Sequence, residues 1–426
     1  MKKFKIIYYL SLLLLLIVLN LLIFLVPANM GIITAPHDAD RKANGNTLVC
    51  TTQFGEMLEH IERRREQKPI DPANTVHKVI EVDETGEAIW EISGLAIPHE
   101  VEELPNGHLL IADTTFDRVV EVNYPNKDFV WSWEPAKIDW SLVNPSWDSD
   151  HYYNNNLSYD WTHINDVDYK DYGSWQACLI SLRNFDLVVE VNYTAEKIGP
   201  ANNPNNIVWW YGDYSNTSLV NKQHNPDYLS NGNIIIADSL NNRIVEINKT
   251  TKEIVWEYSN GLKWPRDADE LPNGNILITD CFNCRVIEIE KESKETIWKF
   301  ARGMIIPYES DLLANGNILI SGQYSGLVLE VNREGHIVWK YGFSIEKGVA
   351  YINFSFFLLA SSFAFFFRFQ TLKTIGLTRK QRILNYISIV LLALVIILSL
   401  FVLIGYSFVM RTITKLVYSK ISHKMF

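Results

Sequence analysis

The sequence predicts an all-β protein built on a six-bladed β-propeller, because one pattern of four short strands recurs six times within residues 36–345. The clearest copies read PHEVEELPNGHLLIAD, QHNPDYLSNGNIIIAD and PRDADELPNGNILITD. Repeats of about 40 residues that each supply four strands are typical of propeller blades. Six copies therefore predict six blades around one central channel.

Two residue types mark the same points in successive copies. An Asn-Gly pair follows the first strand in five copies and favours a tight turn between antiparallel strands. These turns begin at Asn44, Asn106, Asn231, Asn273 and Asn315. A tryptophan lies in the last strand of every copy, at Trp90, Trp131, Trp209, Trp256, Trp298 and Trp339. Its apolar surroundings predict that it packs in the core of the blade.

Each copy opens with one residue at a matching position ahead of the turn. The six openers are His37, His99, His163, His224, Arg266 and Tyr308. Because the first strand of a blade lines the central channel, these side chains are expected to face one axial funnel. The aliphatic strands and tryptophans are enough to pack the blades, so four converging histidines indicate a functional site.

The third copy departs from the repeat. It opens with DWTHINDVDY and lacks the Asn-Gly turn. Its second strand places Leu182 where three other copies have aspartate, and Arg183 follows one residue later. Arg183, His163 and Asn165 together form a set of donors that suits an oxyanion such as sulfate or phosphate. Local departures of this kind tend to mark functional sites.

These residues carry a resemblance to a known family. The run from Asp160 to Asn165, the triplet that ends at Arg183, and Gln223 with His224 are similar to motifs of the bacterial aryl sulfotransferases that use no nucleotide sulfate donor. The resemblance covers residues 36–342. It implies a six-bladed propeller that moves a sulfuryl group from an aryl sulfate to a phenol, in two steps, through a sulfated histidine and without a cofactor.

The resemblance also implies a role for each residue of the site. His224 would be the nucleophile, and His99, His163 and Arg183 the other catalytic residues. Neutral imidazole is a competent nucleophile near pH 7, and a second histidine, His163 by preference, would move the phenol proton. Asn165 would bind the sulfuryl oxygens with Arg183. The remaining openers of the ring are expected to bind substrate: His37, Arg266 and Tyr308.

Other functions remain open for a propeller, since this fold hosts many activities. The main alternative is a non-catalytic propeller that binds a ligand or partner outside the cytoplasm. A quinoprotein dehydrogenase and a histidine metal centre are weaker alternatives. The joint presence of His224 and Arg183 favours the transferase, and a guanidinium disfavours a metal ion beside it.

Apolar segments at both ends predict a membrane protein. Residues 6–26 are long enough to span a bilayer and follow three lysines, so residues 1–30 are expected to form an uncleaved anchor with a cytoplasmic N-terminus. A cleaved signal peptide is the alternative. Residues 349–410 hold two further predicted spans joined by a basic loop, and a basic tail occupies residues 411–426. The propeller would then face the extracytoplasmic side of the cell membrane, with the lipid bilayer as a partner.

Composition narrows the partners. A formal net charge of -10 argues against nucleic acid. Cys281 and Cys284 form an isolated C-x-x-C pair, for which a local disulfide is favoured over a metal site.

Two insertions interrupt the blades. An amphipathic helix is expected within residues 53–74, and residues 135–159 are rich in aromatic side chains that either stack on a phenol or pack internally. The oligomeric state, the physiological donor and the physiological acceptor are not defined by the sequence.

Overall fold

The structure is a computed structural model, and it describes residues 34–53, 77–153, 160–194, 206–302, 304, 306–323 and 325–342. The predicted membrane segments, the basic tail and nearly all of the first insertion lie outside these residues. Among the described residues, no helix is both long and apolar enough to cross a membrane.

Six antiparallel sheets of four strands each follow one another along the chain. Blades one and two contain β1 Thr34–Arg41, β2 Thr47–Gln53, β3 His77–Val82, β4 Ala88–Leu95, β5 Pro98–Glu103, β6 Leu109–Asp113, β7 Arg118–Asn123 and β8 Asp128–Trp133. Blades three and four contain β9 Ile164–Asp171, β10 Gln176–Leu182, β11 Leu187–Asn192, β12 Ile207–Gly212, β13 His224–Tyr228, β14 Ile234–Asp238, β15 Arg243–Ile247 and β16 Ile254–Tyr258. Blades five and six contain β17 Pro265–Glu270, β18 Ile276–Asp280, β19 Arg285–Ile289, β20 Thr296–Phe300, β21 Pro307–Leu312, β22 Ile318–Gly322, β23 Leu327–Val331 and β24 Ile337–Gly342.

The blades close into a ring around the first strand of each sheet. β1, β5, β9, β13, β17 and β21 contact one another in order, and β1 also contacts β21. The glycines of the five Asn-Gly turns have positive φ angles of 80° to 92°, a backbone conformation that glycine adopts without steric cost. The six-bladed propeller predicted from the repeat is therefore confirmed.

The second and third strands of the blades form the core, while the fourth strands reach the surface. β6 and β14 are buried along their whole length. The repeated tryptophans mostly lie half-buried on the fourth strands, so they do not fill the blade interior as expected. Trp256 Nε1 donates a hydrogen bond to the Lys291 carbonyl in the next blade at 3.0 Å, and Trp339 Nε1 donates to the Glu84 carbonyl at 2.8 Å across the closure of the ring. These side chains join neighbouring blades.

The aromatic insertion packs against blade three. It forms α1 Trp140–Val143 and α2 Asp150–Tyr153, with short 3₁₀ turns at Pro135–Lys137 and Pro145–Trp147. Trp140, Trp147 and Tyr152 are at most 1% exposed, and the rings of Trp140 and Tyr152 lie 5.5 and 4.8 Å from that of Phe185. Internal packing therefore explains these three rings, because a buried ring presents no face to a ligand. Phe185 ends the 3₁₀ turn Arg183–Phe185, so the insertion supports the turn that carries Arg183.

The expected disulfide is absent. All four cysteines are free and buried, among them Cys281 and Cys284. These two residues bracket the 3₁₀ turn Cys281–Asn283, in which the Cys284 N–H donates to the Cys281 carbonyl at 2.9 Å. The Cys281 side chain lies against the Arg266 guanidinium. The pair therefore serves the turn after β18 as two separate thiols.

Candidate active site

In blades one, two, five and six the opener lies in a bulge of the inner strand, whereas His224 of blade four pairs with Ala237 and the interruption follows it. In blade two, Pro98 pairs with Asp113 and Glu100 pairs with Ala112, so His99 lies in the interruption between two regular pairs. Arg266 and Tyr308 occupy the same point in blades five and six. A bulged residue is released from the ladder and can direct its side chain away from the sheet. This backbone feature presents the openers of blades one, two, five and six to the channel.

Blade three corrects the sequence alignment. Ile164 pairs with Leu182 and Asp166 pairs with Ser181, which leaves Asn165 in the bulge. The opener of this blade is therefore Asn165 and not His163. The sequence obscured this register because the hairpin is longer here: Asn165 and Arg183 are 18 residues apart, whereas 15 residues separate the equivalent positions of the other five blades.

His163 lies two residues before the bulge, at a turn into the inner strand. Its φ angle is 51°, and the equivalent residues Ile97 and Trp264 have φ angles of 50° and 49°. The position is thus a regular feature of the blades with positive φ, and a histidine occupies it in blade three. Its ring nevertheless reaches the channel, since it lies 5.0 Å from the His99 ring in an edge-on contact.

The eight residues selected from the sequence are all buried, each with at most 9% of its surface exposed. Ring contacts connect five of them. His37 lies 4.4 Å from His99 and 4.9 Å from Tyr308, measured between ring centroids. The Arg266 guanidinium carbon lies 3.4 Å from the centroid of the Tyr308 ring, which is a cation–π contact. The structure thus brings imidazoles, a phenol and a guanidinium together at one end of the channel.

The hydrogen bonds of His224 fix its neutral tautomer. Its Nδ1 lies 2.7 Å from the Ser239 Oγ, and that hydroxyl donates to the Pro265 carbonyl at 2.6 Å. Because the single hydroxyl proton of Ser239 is used in this way, Nδ1 must carry a hydrogen and donate it to Oγ. The lone pair therefore lies on Nε2, a buried atom with no hydrogen-bond partner among the described residues.

Two further histidines carry their proton on the same nitrogen. His99 Nδ1 lies 2.9 Å from the Ile97 carbonyl, which only accepts. His163 Nδ1 lies 2.5 Å from a carboxylate oxygen of Asp160, which also accepts. The contact with Asp160 differs in kind, because a carboxylate stabilises the protonated imidazolium as well as orienting the ring. The contact with Asp160 therefore fixes the orientation of the His163 ring.

A buried carboxylate from blade two holds the segment that carries Asp160 and His163. One oxygen of Asp117 accepts from the Thr162 N–H at 2.7 Å and from the Thr162 hydroxyl at 2.6 Å. The other oxygen accepts from the Trp161 N–H at 2.9 Å. In blades two, four and five an aspartate of the second strand accepts from the segment that enters its own blade, as Asp113 does from Ala96 at 2.6 Å. Leu182 cannot accept, so Asp117 performs this function for blade three.

Electrostatics keep the central imidazoles neutral. Burial lowers the pKa of His224 well below its usual value, and the nearby Arg266 and Arg183 guanidiniums lower it further. Burial likewise lowers the pKa of His99, with a contribution from His163. The two arginines come from blades five and three, which flank blade four. His224 therefore presents a lone pair at neutral pH in a positively charged environment.

Arg183 and Asn165 lie on different elements of blade three, Arg183 on the turn after β10 and Asn165 in the bulge of β9. Arg183 begins its 3₁₀ turn at a point where other blades have Thr114, Ser239 and Cys281, so its guanidinium reaches further than any of those short side chains. One amide hydrogen of Asn165 is donated to the Gln223 carbonyl at 2.9 Å. The second amide hydrogen of Asn165 can be donated to a ligand. The bond to Gln223 also fixes the backbone beside His224.

Sequence reasoning missed the residues that orient the histidines. Ser239 and Asp160 were not selected, although each had a signal in the sequence. Ser239 lies 15 residues after its opener, at the position where blade two has Thr114, whose hydroxyl lies 2.9 Å from His99 Nδ1. Asp160 precedes His163 by three residues within the motif already noted. A hydroxyl 15 residues after the opener is thus a feature shared by blades two and four, whereas Asp160 belongs to blade three alone.

Comparisons with known proteins address the family. Residues 77–224 match the Arylsulfotransferase (ASST) family, and no curated protein matches the chain significantly. A virginiamycin B lyase from Staphylococcus aureus is 10% identical with a TM-score of 0.45, over 73% of this chain and 85% of that chain. A protein of unknown function from Bacteroides caccae is 12% identical with a TM-score of 0.43, over 62% of this chain and 90% of that chain. Structural likenesses this distant carry no functional argument.

The matched segment contains the motif residues from which the resemblance was first drawn, including His99, His163, Asn165, Arg183 and His224. It ends at His224, so Arg266 and Tyr308 lie beyond it. The match confirms, over residues 77–224, the resemblance of this chain to the arylsulfotransferase family.

Proposed function

We propose that this protein transfers a sulfuryl group from an aryl sulfate donor to a phenolic acceptor in two steps, with His224 as the residue that becomes sulfated. The observation that carries the proposal is the state of His224. Its tautomer is fixed by Ser239, its Nε2 lone pair has no partner among the described residues, and two guanidiniums flank it. A scaffold that only binds a partner needs none of these features.

The donor is held by its charged and aromatic ends. Arg183 and Arg266 bind the sulfuryl oxygens together with the second amide hydrogen of Asn165. Guanidiniums match the geometry of oxyanions and stabilise the charge that develops on them in the transition state. Arg266 is positioned by its cation–π contact with Tyr308. The rings of His37 and Tyr308 contact each other beside Arg266, and they contact the aromatic ring of the substrate.

In the first step, His224 Nε2 attacks sulfur. The new N–S bond forms as the bond between sulfur and the phenolic oxygen breaks. The departing phenolate takes a proton from His163 Nε2, whose imidazolium is stabilised by Asp160 through Nδ1. His163 ends this step neutral, and the donor leaves as a phenol.

In the second step the same groups act in reverse. The acceptor phenol gives its proton to His163 Nε2, and its oxygen attacks the sulfur bound to His224. The N–S bond breaks, His224 returns to the neutral tautomer, and His163 is again protonated. Atoms and charges balance over the cycle, and this scheme uses no metal or organic cofactor.

The nucleophile is tested by replacing His224 with asparagine. We expect His224→Asn to abolish transfer, because a side-chain amide is a far weaker nucleophile than an imidazole nitrogen. Mass spectrometry after incubation with donor alone should find a sulfuryl adduct on the peptide that contains His224 in the unmodified protein and none in the variant. His336→Asn, which replaces an exposed histidine outside the channel, is the matched control and should leave transfer unchanged. Full activity of His224→Asn would favour a ligand-binding propeller over the enzyme.

The arginine of blade three is tested separately. Arg183→Met should lower kcat/KM for the donor by about 10²–10³-fold, the cost of losing one donor to a developing oxyanion. Arg302→Met replaces an exposed arginine outside the channel and should have no effect. Steady-state kinetics with a chromogenic aryl sulfate measure both variants. Equal activity of Arg183→Met and the unmodified protein would exclude Arg183 from the sulfuryl site.

The lowered pKa of His224 predicts how kcat/KM for the donor changes as the pH falls. An imidazole whose pKa is depressed stays neutral, and therefore nucleophilic, as the pH falls through 6.5, the usual histidine value. We expect kcat/KM for a donor with an electron-poor phenol, which leaves without protonation, to hold its value down to that pH and to fall only well below it. Arg266→Gln should move this fall toward higher pH, because it removes a positive charge near His224. A decline centred above pH 6.5 in the unmodified protein would contradict the proposed environment of His224.

We also propose that the chain is anchored in the cell membrane with its propeller on the extracytoplasmic side. The apolar segments within residues 1–30 and 349–410, and the basic loop at residues 368–382, support this orientation. A protease-cleavable tag placed in the exposed turn at Asn273 should be cut in intact cells. The same tag in the basic loop should be cut only after permeabilisation. The reverse pattern would place the propeller in the cytoplasm.

A further inference from the structure

The inner strands carry two layers of acidic residues next to the histidines. One residue after the opener, five blades have a carboxyl side chain: Asp38, Glu100, Asp166, Asp267 and Glu309. Three residues after the opener, all six blades have one: Asp40, Glu102, Asp168, Asp227, Asp269 and Asp311. Because the inner strands surround one axis, these positions form two rings inside the channel. The proposed sulfotransfer uses none of them.

Three of these carboxylates meet between blades one and two. Asp38, Asp40 and Glu100 each offer an oxygen, and these oxygens all lie within 4.8 Å of one another. Asp38 is 0% exposed and Glu100 is 7% exposed, while Asp40 is partly exposed. Carboxylates this close repel one another strongly in a buried environment. Burial and this repulsion raise the pKa of Asp40 and Glu100 well above the usual value, so the cluster binds either protons or a cation.

The side chains provide no such cation. Asp38 Oδ1 and Glu100 Oε2 are buried and accept no hydrogen bond from an N–H group or hydroxyl of the described residues. The other oxygen of Asp38 accepts from the Val101 N–H at 2.9 Å, which fixes the carboxyl plane, and the side chain of Asp38 also lies within hydrogen-bonding reach of Glu309, a carboxyl of the same ring. No lysine, arginine or histidine of the described chain forms an ion pair with any of the three. Unpaired oxygens of this kind are costly unless a ligand satisfies them.

We propose that Asp38, Asp40 and Glu100 bind one calcium ion in the channel of the propeller. Ca²⁺ binds oxygen ligands at about 2.3–2.6 Å, so two ligands on opposite sides of the ion lie up to about 5 Å apart, as these oxygens do. It also accepts irregular coordination and partly exposed carboxylates, whereas Mg²⁺ demands a tighter octahedron. An all-oxygen ligand set does not favour zinc or copper.

The ion would act on both the fold and the channel. Asp38 and Asp40 belong to β1 and Glu100 to β5, so calcium would link the inner strands of two adjacent blades. It would also offset negative charge directly beyond the histidine layer, since Asp38 follows His37 and Glu100 follows His99 in sequence. An anion bound at the histidines would then experience less repulsion from the acidic rings. The site stands on its own geometry and does not require the proposed function.

Calcium binding is tested directly on the full chain in detergent, without any sulfate donor. After removal of divalent ions with EGTA, titration with CaCl₂ followed by calorimetry should show one site, and Ca²⁺ should raise the thermal unfolding temperature, since a ligand that binds only the folded state stabilises it. MgCl₂ at the same concentration should give a smaller shift. Absence of calcium binding, with unfolding unchanged by EGTA, would overturn the proposal and favour carboxyls that share protons.

Two substitutions locate the site. Asp40→Asn, at a partly exposed position that tolerates change, and Glu100→Gln should each weaken calcium binding by at least about tenfold, because each removes a charged ligand. Asp227→Asn is the matched control: it lies at the same register as Asp40 but in blade four, on the opposite side of the ring, and should bind calcium normally. If Glu100→Gln fails to fold, Asp40→Asn decides alone. Equal loss in Asp227→Asn would overturn the assignment to these three residues.

Discussion

Closure of the six blades into a ring is the constraint on which the rest of the molecule depends. β1 contacts β21 and β22, so the first and last blades meet and every inner strand faces the same axis. A position in the repeat thereby becomes a layer of the channel. The openers form one layer, and the acidic residues that follow them form two more. The tryptophans of the fourth strands support this arrangement from outside, since Trp339 donates across the closure to Glu84. A residue at one position of the repeat meets its equivalents from the other copies only because the closed ring brings all six inner strands around one axis.

Blade three shows how the repeat is modified to build chemistry. Leu182 replaces the aspartate that elsewhere accepts hydrogen bonds from the segment entering the blade, and Asp117 of blade two accepts them instead. This exchange leaves the turn after β10 free of the aspartate–arginine pair found in blades two, four and five. Arg183 occupies the start of that turn, and Phe185 anchors it in the aromatic cluster of the second insertion. The insertion, the substituted aspartate and the long hairpin are therefore parts of one modification that positions Arg183 and His163.

The parts of the structure that repeat were accessible from the sequence, and the parts that occur once were not. Blade number, turn positions and the placement of the openers on the inner strands follow from patterns present five or six times. The register of blade three could not be read in this way, because its hairpin is longer by three residues and the alignment favoured His163 over Asn165. The disulfide expected at Cys281 and Cys284 failed for a related reason: spacing alone does not reveal that the pair brackets a 3₁₀ turn in which each thiol packs separately. Ser239 and Asp160 carried a signal, but a hydroxyl or carboxylate gains meaning only when its hydrogen-bond partner is known.

The site balances two opposing electrostatic requirements. An imidazole nucleophile must stay neutral, which burial and the neighbouring guanidiniums achieve by lowering the pKa of His224. In the proposed mechanism His163 must instead carry a second proton, and it is the site histidine whose Nδ1 contacts a carboxylate, that of Asp160. The carboxylate is placed on the far nitrogen of His163, so its charge does not face the channel in which an anion would bind. Two histidines of similar burial thus differ in the group bonded to Nδ1, which is a hydroxyl for His224 and a carboxylate for His163.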